Sequence, residues 1–145
     1  MTQANDRRTV LKLLAGAPLL AAFGSAQAAG PRRVGVLIEQ AKAHSTISQR
    51  IDVISRTLIG TRYQARTLIG SPQQKEVFVV REDAFDCVTY NEFVLAVAMA
   101  RDVPEFEDAL RKIRYHNGEV VWRERNHYYA DWSRSNVANG ICKPV

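Results

Sequence analysis

From Val88 to Arg101 the chain is rich in Ala, Val, Leu and Met and is apolar on most of its sides. A helix without a polar face is stable only when other elements cover it. This segment therefore predicts a buried central helix, and the rest of the chain has to wrap it. Asp86 precedes it as the expected N-cap, and Cys87 falls in its first turn.

The flanking segments supply the cover. Ser45 is the expected N-cap of a helix whose apolar stripe is Ile47, Ile51, Ile54 and Leu58, with Gln49, Arg50, Asp52 and Arg56 opposite, ending at Gly60. Ala29 to His44 carries one short apolar run, Val34 to Ile38, and receives no assigned structure. Gly60 to Lys75 reads as a connection marked by Gly70, Ser71 and Pro72, and Val77 to Val80 as a short strand. Pro104 opens a helix over Glu105 to Lys112, with its charges arranged as the helix dipole prefers. His116-Asn117-Gly118 is a turn. Val120–Trp122 and His127–Trp132 read as two strands, and Ser133 onward as polar and turn-rich. The order predicts an α+β fold, helices first and a small antiparallel sheet after them.

The first 28 residues stand apart. Arg7, Arg8 and Lys12 make a charged front, Leu13 to Phe23 a short apolar run, and Ala26-Gln27-Ala28 a small-x-small cleavage site. The run is too short for a bilayer span, so the segment reads as a secretory signal peptide. Its paired arginines resemble the twin-arginine export signal of bacteria. Removing residues 1–28 from the 145 leaves 117. It takes away three basic residues and Asp6, so the formal net charge falls from +5 to +3. That mild excess is not clustered on one element and is no nucleic-acid footprint. No later run is apolar enough for stable membrane insertion.

Cys87 is the sharpest chemical candidate, because a helix N-terminus favours a thiolate. Against that stand two plainer readings, a buried small hydrophobe and a disulfide to Cys142, which export would permit. A cysteine nucleophile needs an imidazole to exchange protons with. Of His44, His116 and His127, the last is the best mounted, opening an aromatic strand. A half-buried strand histidine is the plainer alternative. Asp131, four residues on, would leave the same strand face as His127 and could orient it. The alpha-carbons would then be about 13 Å apart, which is long for a direct bond. Metal-ligand spacings, phosphate-cradling loops and dinucleotide fingerprints are missing from the sequence, so no cofactor or metal is expected. Trp122, Tyr128, Tyr129 and Trp132 fit either a sugar or peptide cleft or a core.

Three stretches together carry a family resemblance. They are Leu58-Ile59-Gly60-Thr61-Arg62-Tyr63; Phe85-Asp86-Cys87-Val88-Thr89-Tyr90 with Glu92; and Ile113 to Gly118 leading into Arg125-Asn126-His127-Tyr128-Tyr129-Ala130-Asp131-Trp132. They resemble the N-acetylmuramoyl-L-alanine amidase-like family of bacterial cell-wall proteins, within the NlpC-type, papain-like cysteine peptidases. The resemblance spans about residues 45–141. It implies an α+β papain-like core, with a central helix bearing the cysteine packed on a small antiparallel sheet. It also implies cleavage of amide bonds in peptidoglycan stem peptides, in the periplasm or cell envelope, with muropeptides as partners. Cys87 matches the nucleophile, His127 the general base, and Tyr63 the tyrosine on the oxyanion side; a packed loop tyrosine is the plainer reading of Tyr63. Family members continue past the His-Tyr-x-x-Asp-Trp stretch, so the chain reads as C-terminally truncated. The alternative expectation is an inactive relative serving as a wall-binding or structural exported domain.

Overall fold

The computed structural model describes residues 33–144. The expected signal peptide lies outside them. Five helices and four short strands follow in the order α1 (Arg33–Lys42), α2 (Ile47–Thr57), β1 (Arg62–Tyr63), β2 (Ile69–Ser71), β3 (Gln74–Val77), β4 (Ala84–Phe85), α3 (Cys87–Met99), α4 (Val103–Arg114) and α5 (Tyr129–Ala138). The strands form two pairs, β1 with β4 in parallel and β2 with β3 antiparallel. The α+β class holds, with α3 at the centre as its all-round apolar sequence requires.

Helix α3 buries Phe93, Val94, Ala96, Val97 and Ala98. Helices α1, α2 and α4 enclose it, contributing Leu37, Ile38, Ile54, Phe106, Leu110 and Ile113 to one core. Phe93 joins two sides of that core, with its ring 5.0 Å from Phe85 and 5.3 Å from Phe106. Each fully buried Leu, Ile or Phe contributes about 1.5–3 kcal/mol, so α3 holds because it is covered rather than because it is amphipathic.

Several expectations are corrected. The unassigned stretch before His44 contains α1, whose Val34, Leu37, Ile38 and Ala41 are buried at i, i+3, i+4 and i+7. That is an ordinary helical stripe. The cap of α2 is Thr46, in a capping box with Gln49, rather than Ser45. That helix ends at Thr57, and the chain turns through Gly60 at φ +83°. The strand expected at Val77–Val80 ends at Val77; it begins at Gln74 and pairs with Ile69–Ser71 across Pro72-Gln73. Gly70 (φ +149°) is required there, since a Cβ would meet Glu76 Oε2 at 1.9 Å.

The largest correction concerns the end of the chain. Val120–Trp122 and His127–Trp132 are not strands. Trp122–Glu124 is a single 3-10 turn, Tyr115 and Arg125 form an isolated bridge, and Tyr129–Ala138 is helix, including the part read as turn-rich. The aromatic run suggested alternation, but the buried positions are Trp132, Ser135 and Asn136, spaced three and four apart. Packing onto α4 selects the helical period. Asn136 Nδ2 donates to the Ile113 carbonyl at 3.1 Å and to the Trp132 carbonyl at 2.8 Å.

Candidate active site

Cys87 is the first residue of α3 and is exposed. The turn beneath it is locally encoded. Asp86 Oδ1 accepts from Val88 N at 3.1 Å and Thr89 N at 2.8 Å, while Thr89 Oγ1 accepts from Asp86 N at 2.9 Å and donates to Asp86 Oδ1 at 2.8 Å. This capping box directs the Asp86 carboxylate to backbone amides. As the first helical residue, Cys87 has an amide with no intrahelical acceptor, and the positive end of the helix dipole lies there.

Tyr63 is brought to the same place by sheet pairing. In the parallel β1–β4 ladder Tyr63 registers with Phe85, and Gln64 N donates to the Phe85 carbonyl at 2.9 Å. Phe85 is buried and packs edge-on to Tyr90, fixing the strand just ahead of Cys87. Tyr63 itself is 71% exposed, so it is not the packed loop tyrosine of the plainer reading. Tyr63, Cys87, Asp86, Tyr90 and Asn91 line one open cleft.

His127 lines the adjoining cleft with Val88, Thr89, Glu92 and Asn126, and Asp86 is common to both. Among the described residues no hydrogen bond joins Cys87 to His127. The His127 ring lies 4.4 Å from the Trp122 ring, and its Nε2 is 2.7 Å from the Trp122 carbonyl. A carbonyl only accepts, so Nε2 carries the proton. In the neutral ring Nδ1 is then the basic nitrogen.

Asp131 does not orient His127. It lies in the first turn of α5, where its carboxylate pairs with Arg134. The shared strand face that motivated it does not exist. The position expected for its carboxylate beside the imidazole is occupied by the Trp122 carbonyl. The two cysteines are free thiols, so the Cys87–Cys142 disulfide is not formed. Cys142 sits partly buried against the core, and burial pushes its thiol pKa up.

The sequence reading missed what supports the His127 side. Arg114 Nε donates to Glu92 Oε2 at 2.8 Å, with both side chains almost fully buried, and Arg114 Nη1 donates to the Val79 carbonyl at 2.7 Å. Asn126 N donates to the Arg114 carbonyl at 2.9 Å, and Asn126 Nδ2 to the Ile113 carbonyl at 3.2 Å. The chain Glu92–Arg114–Asn126 thus ties the Cys87 helix to the residue preceding His127. Burial pushes the Glu92 carboxyl above its usual range, with Arg114 pulling back. A second buried cluster lies behind: Glu76 accepts from Tyr115 Oη at 2.9 Å and Arg125 Nη1 at 2.8 Å. A lone Glu in the apolar run after Cys87 was the available signal, because buried charge needs a partner. Among the described residues no group of three or more His, Cys, Asp and Glu is placed to hold a metal ion, and no helix is long and apolar enough to cross a membrane.

Comparison with known proteins places this arrangement. A search of the curated proteins finds no match. A solved Legionella pneumophila protein (strain Philadelphia 1) is 31% identical with a TM-score of 0.64, covering 74% of this chain and 36% of its own. A Bacteroides fragilis structure, described as a candidate xylanase, is 31% identical with a TM-score of 0.51, covering 56% of this chain and 37% of its own. An N-acetylmuramoyl-L-alanine amidase from Bacteroides uniformis ATCC 8492 is 36% identical with a TM-score of 0.49, covering 55% and 34%. The chain thus spans about a third of the length of these structures. The N-acetylmuramoyl-L-alanine amidase-like family model matches residues 53–145, a stretch that includes Tyr63, Cys87 and His127. With more than half of its length matched by that model, the chain belongs to the N-acetylmuramoyl-L-alanine amidase-like family.

Proposed function

We propose that the chain is an exported cysteine hydrolase acting on amide bonds of peptidoglycan stem peptides. The observation that carries this reading is an exposed cysteine at the N-terminus of α3, sharing a cleft with Tyr63, in a chain of this family. The Cys87 thiol gives its proton to Nδ1 of His127, and the resulting thiolate attacks the amide carbonyl. The Cys87 amide and the Tyr63 phenol donate to the oxyanion. Imidazolium Nδ1–H protonates the departing amine, and a thioester remains on Cys87. Water deprotonated by His127 then releases the acid and restores the thiol. Proton transfer requires Nδ1 within about 3.2 Å of Sγ, or one bridging water. The Trp122 carbonyl holds Nε2–H throughout and so keeps the productive tautomer. The arginine pair Arg7-Arg8 and the apolar run behind it support export to the periplasm or cell envelope.

Glycoside cleavage is the chemistry that the xylanase description would suggest, and it needs two uncommitted carboxylates flanking a sugar. Glu92 and Glu76 are instead buried against Arg114 and Arg125.

The test is incubation of purified muropeptides with wild type, Cys87→Ala and His127→Ala. Product from wild type alone is expected, and equal product from Cys87→Ala overturns the mechanism. One observation favours a second reading: Cys87 and His127 line different clefts. Binding without cleavage by all three chains would establish a wall-binding relative instead.

A further inference from the structure

The cleft that holds His127 contains one strained residue. Arg66 has φ +59°, the only positive value at a non-glycine among the described residues. An L-residue in this region is strained by its Cβ, a strain that glycine would avoid. Such strain persists where the surroundings hold it, and it concentrates at ligand clamps.

Arg66 is also the uncommitted charge of that cleft. Asp86 is taken up by the cap of α3, Glu92 by Arg114, Arg125 by Glu76, and His127 Nε2 by the Trp122 carbonyl. Arg66 is exposed and has no side-chain partner among the described residues. A guanidinium offers paired N–H donors that match a carboxylate.

We infer that Arg66 binds a substrate carboxylate on the leaving-amine side of the scissile bond. This rests on the amidase reading above, which makes His127 the donor to the departing amine. The part of the substrate beyond that amine then lies in the His127 cleft, beside Arg66. The preferred substrate is a stem peptide whose residue on that side keeps a free carboxylate, rather than the carboxamide.

The test uses a matched pair of muropeptides, free acid and amidated, titrated calorimetrically into the full chain carrying Cys87→Ala, so that binding is read without turnover. The free acid is expected to bind at least about tenfold more tightly, a ratio worth one decade of the binding constant. Adding Arg66→Ala removes that ratio and Arg66→Lys restores part of it. Adding Arg66→Gly also removes it, while the chain melts no lower than its parent because the backbone strain is relieved. Equal binding of the two peptides, or binding of neither, overturns the Arg66 assignment. A tenfold preference in a wild-type chain that cuts neither peptide upholds Arg66 and overturns the hydrolase reading alone.

Discussion

Cys87 and His127 line adjoining clefts, yet the backbone under each is held by different means. Around Cys87 the capping bonds of the turn span at most four residues: Asp86 to Val88, Asp86 to Thr89 and Tyr90 N to the Asp86 carbonyl. Around His127 the supports come from afar, Asn126 reaching Ile113 and Arg114, and Arg125 reaching Glu76 across 49 positions. The Cys87 end is set by local sequence and the His127 end by tertiary structure. Damage to the core should therefore reach His127 first.

The most damaging test of that contrast is Arg114→Ala. It leaves Glu92 buried without its partner and removes the donor to Val79. Breaking a buried pair from one side costs about 3–5 kcal/mol. Urea unfolding should show that loss. Histidine proton resonances should report a disturbed His127 at urea concentrations where Cys87 labelling is unchanged. Simultaneous loss at both ends would mean that the two are one cooperative unit.

Tyr115→Phe probes the second buried cluster. The phenol donates to a buried carboxylate, and bonds to charged groups contribute about 1.5–3 kcal/mol. Burial, with the Glu76 bond second, raises the Tyr115 pKa well above its ordinary value. The folded chain thus holds this proton more tightly than the unfolded one. Its contribution is complete below the ordinary tyrosine pKa, about 10, and is lost as pH rises beyond it. The stability gap between wild type and Tyr115→Phe should therefore be flat from pH 6 to 9 and narrow above about 10. A gap that widens there would reverse the assignment.

The same contrast explains how much was legible in the sequence. The Asp86 cap, the position of Cys87 and the buried character of α3 all follow from neighbours in the chain, and all were readable. The parallel register of Tyr63 with Phe85 was not, because nothing local encodes a pairing across 22 positions. The Tyr128–Trp132 run looked like a strand because its aromatics have high strand propensity. Helix α5 wins through Trp132, Ser135 and Asn136, whose burial depends on α4 being present. The helix α1 stripe, which begins at Val34, follows from local spacing and was readable too.

Asp86→Ala tests the local end. Losing an N-cap costs about 1 kcal/mol, less than either change behind His127. It also removes a negative charge next to Cys87, so an anionic thiol reagent, no longer repelled, should label Cys87 faster at pH 7. Slower labelling would show that the intact first turn of α3, more than the absent charge, governs the reactivity of Cys87.

Asp131→Asn has the smallest expected effect and decides most about the imidazole. In α5 its carboxylate meets only an exposed Arg134 side chain and the helix N-terminus, so stability should change by about 0.5 kcal/mol or less. If the Trp122 carbonyl fixes the His127 tautomer, kcat on muropeptides should stay within about threefold of wild type, well under 1 kcal/mol of barrier. Were Asp131 the orienting carboxylate instead, its neutral amide would hold the ring in the wrong tautomer, and kcat would fall by orders of magnitude. A large fall with unchanged stability would thus return Asp131 to the site. It would also mean that residues 127–131 leave the α5 geometry when substrate binds, so that the His127 end would be shaped by the ligand as well as by the core.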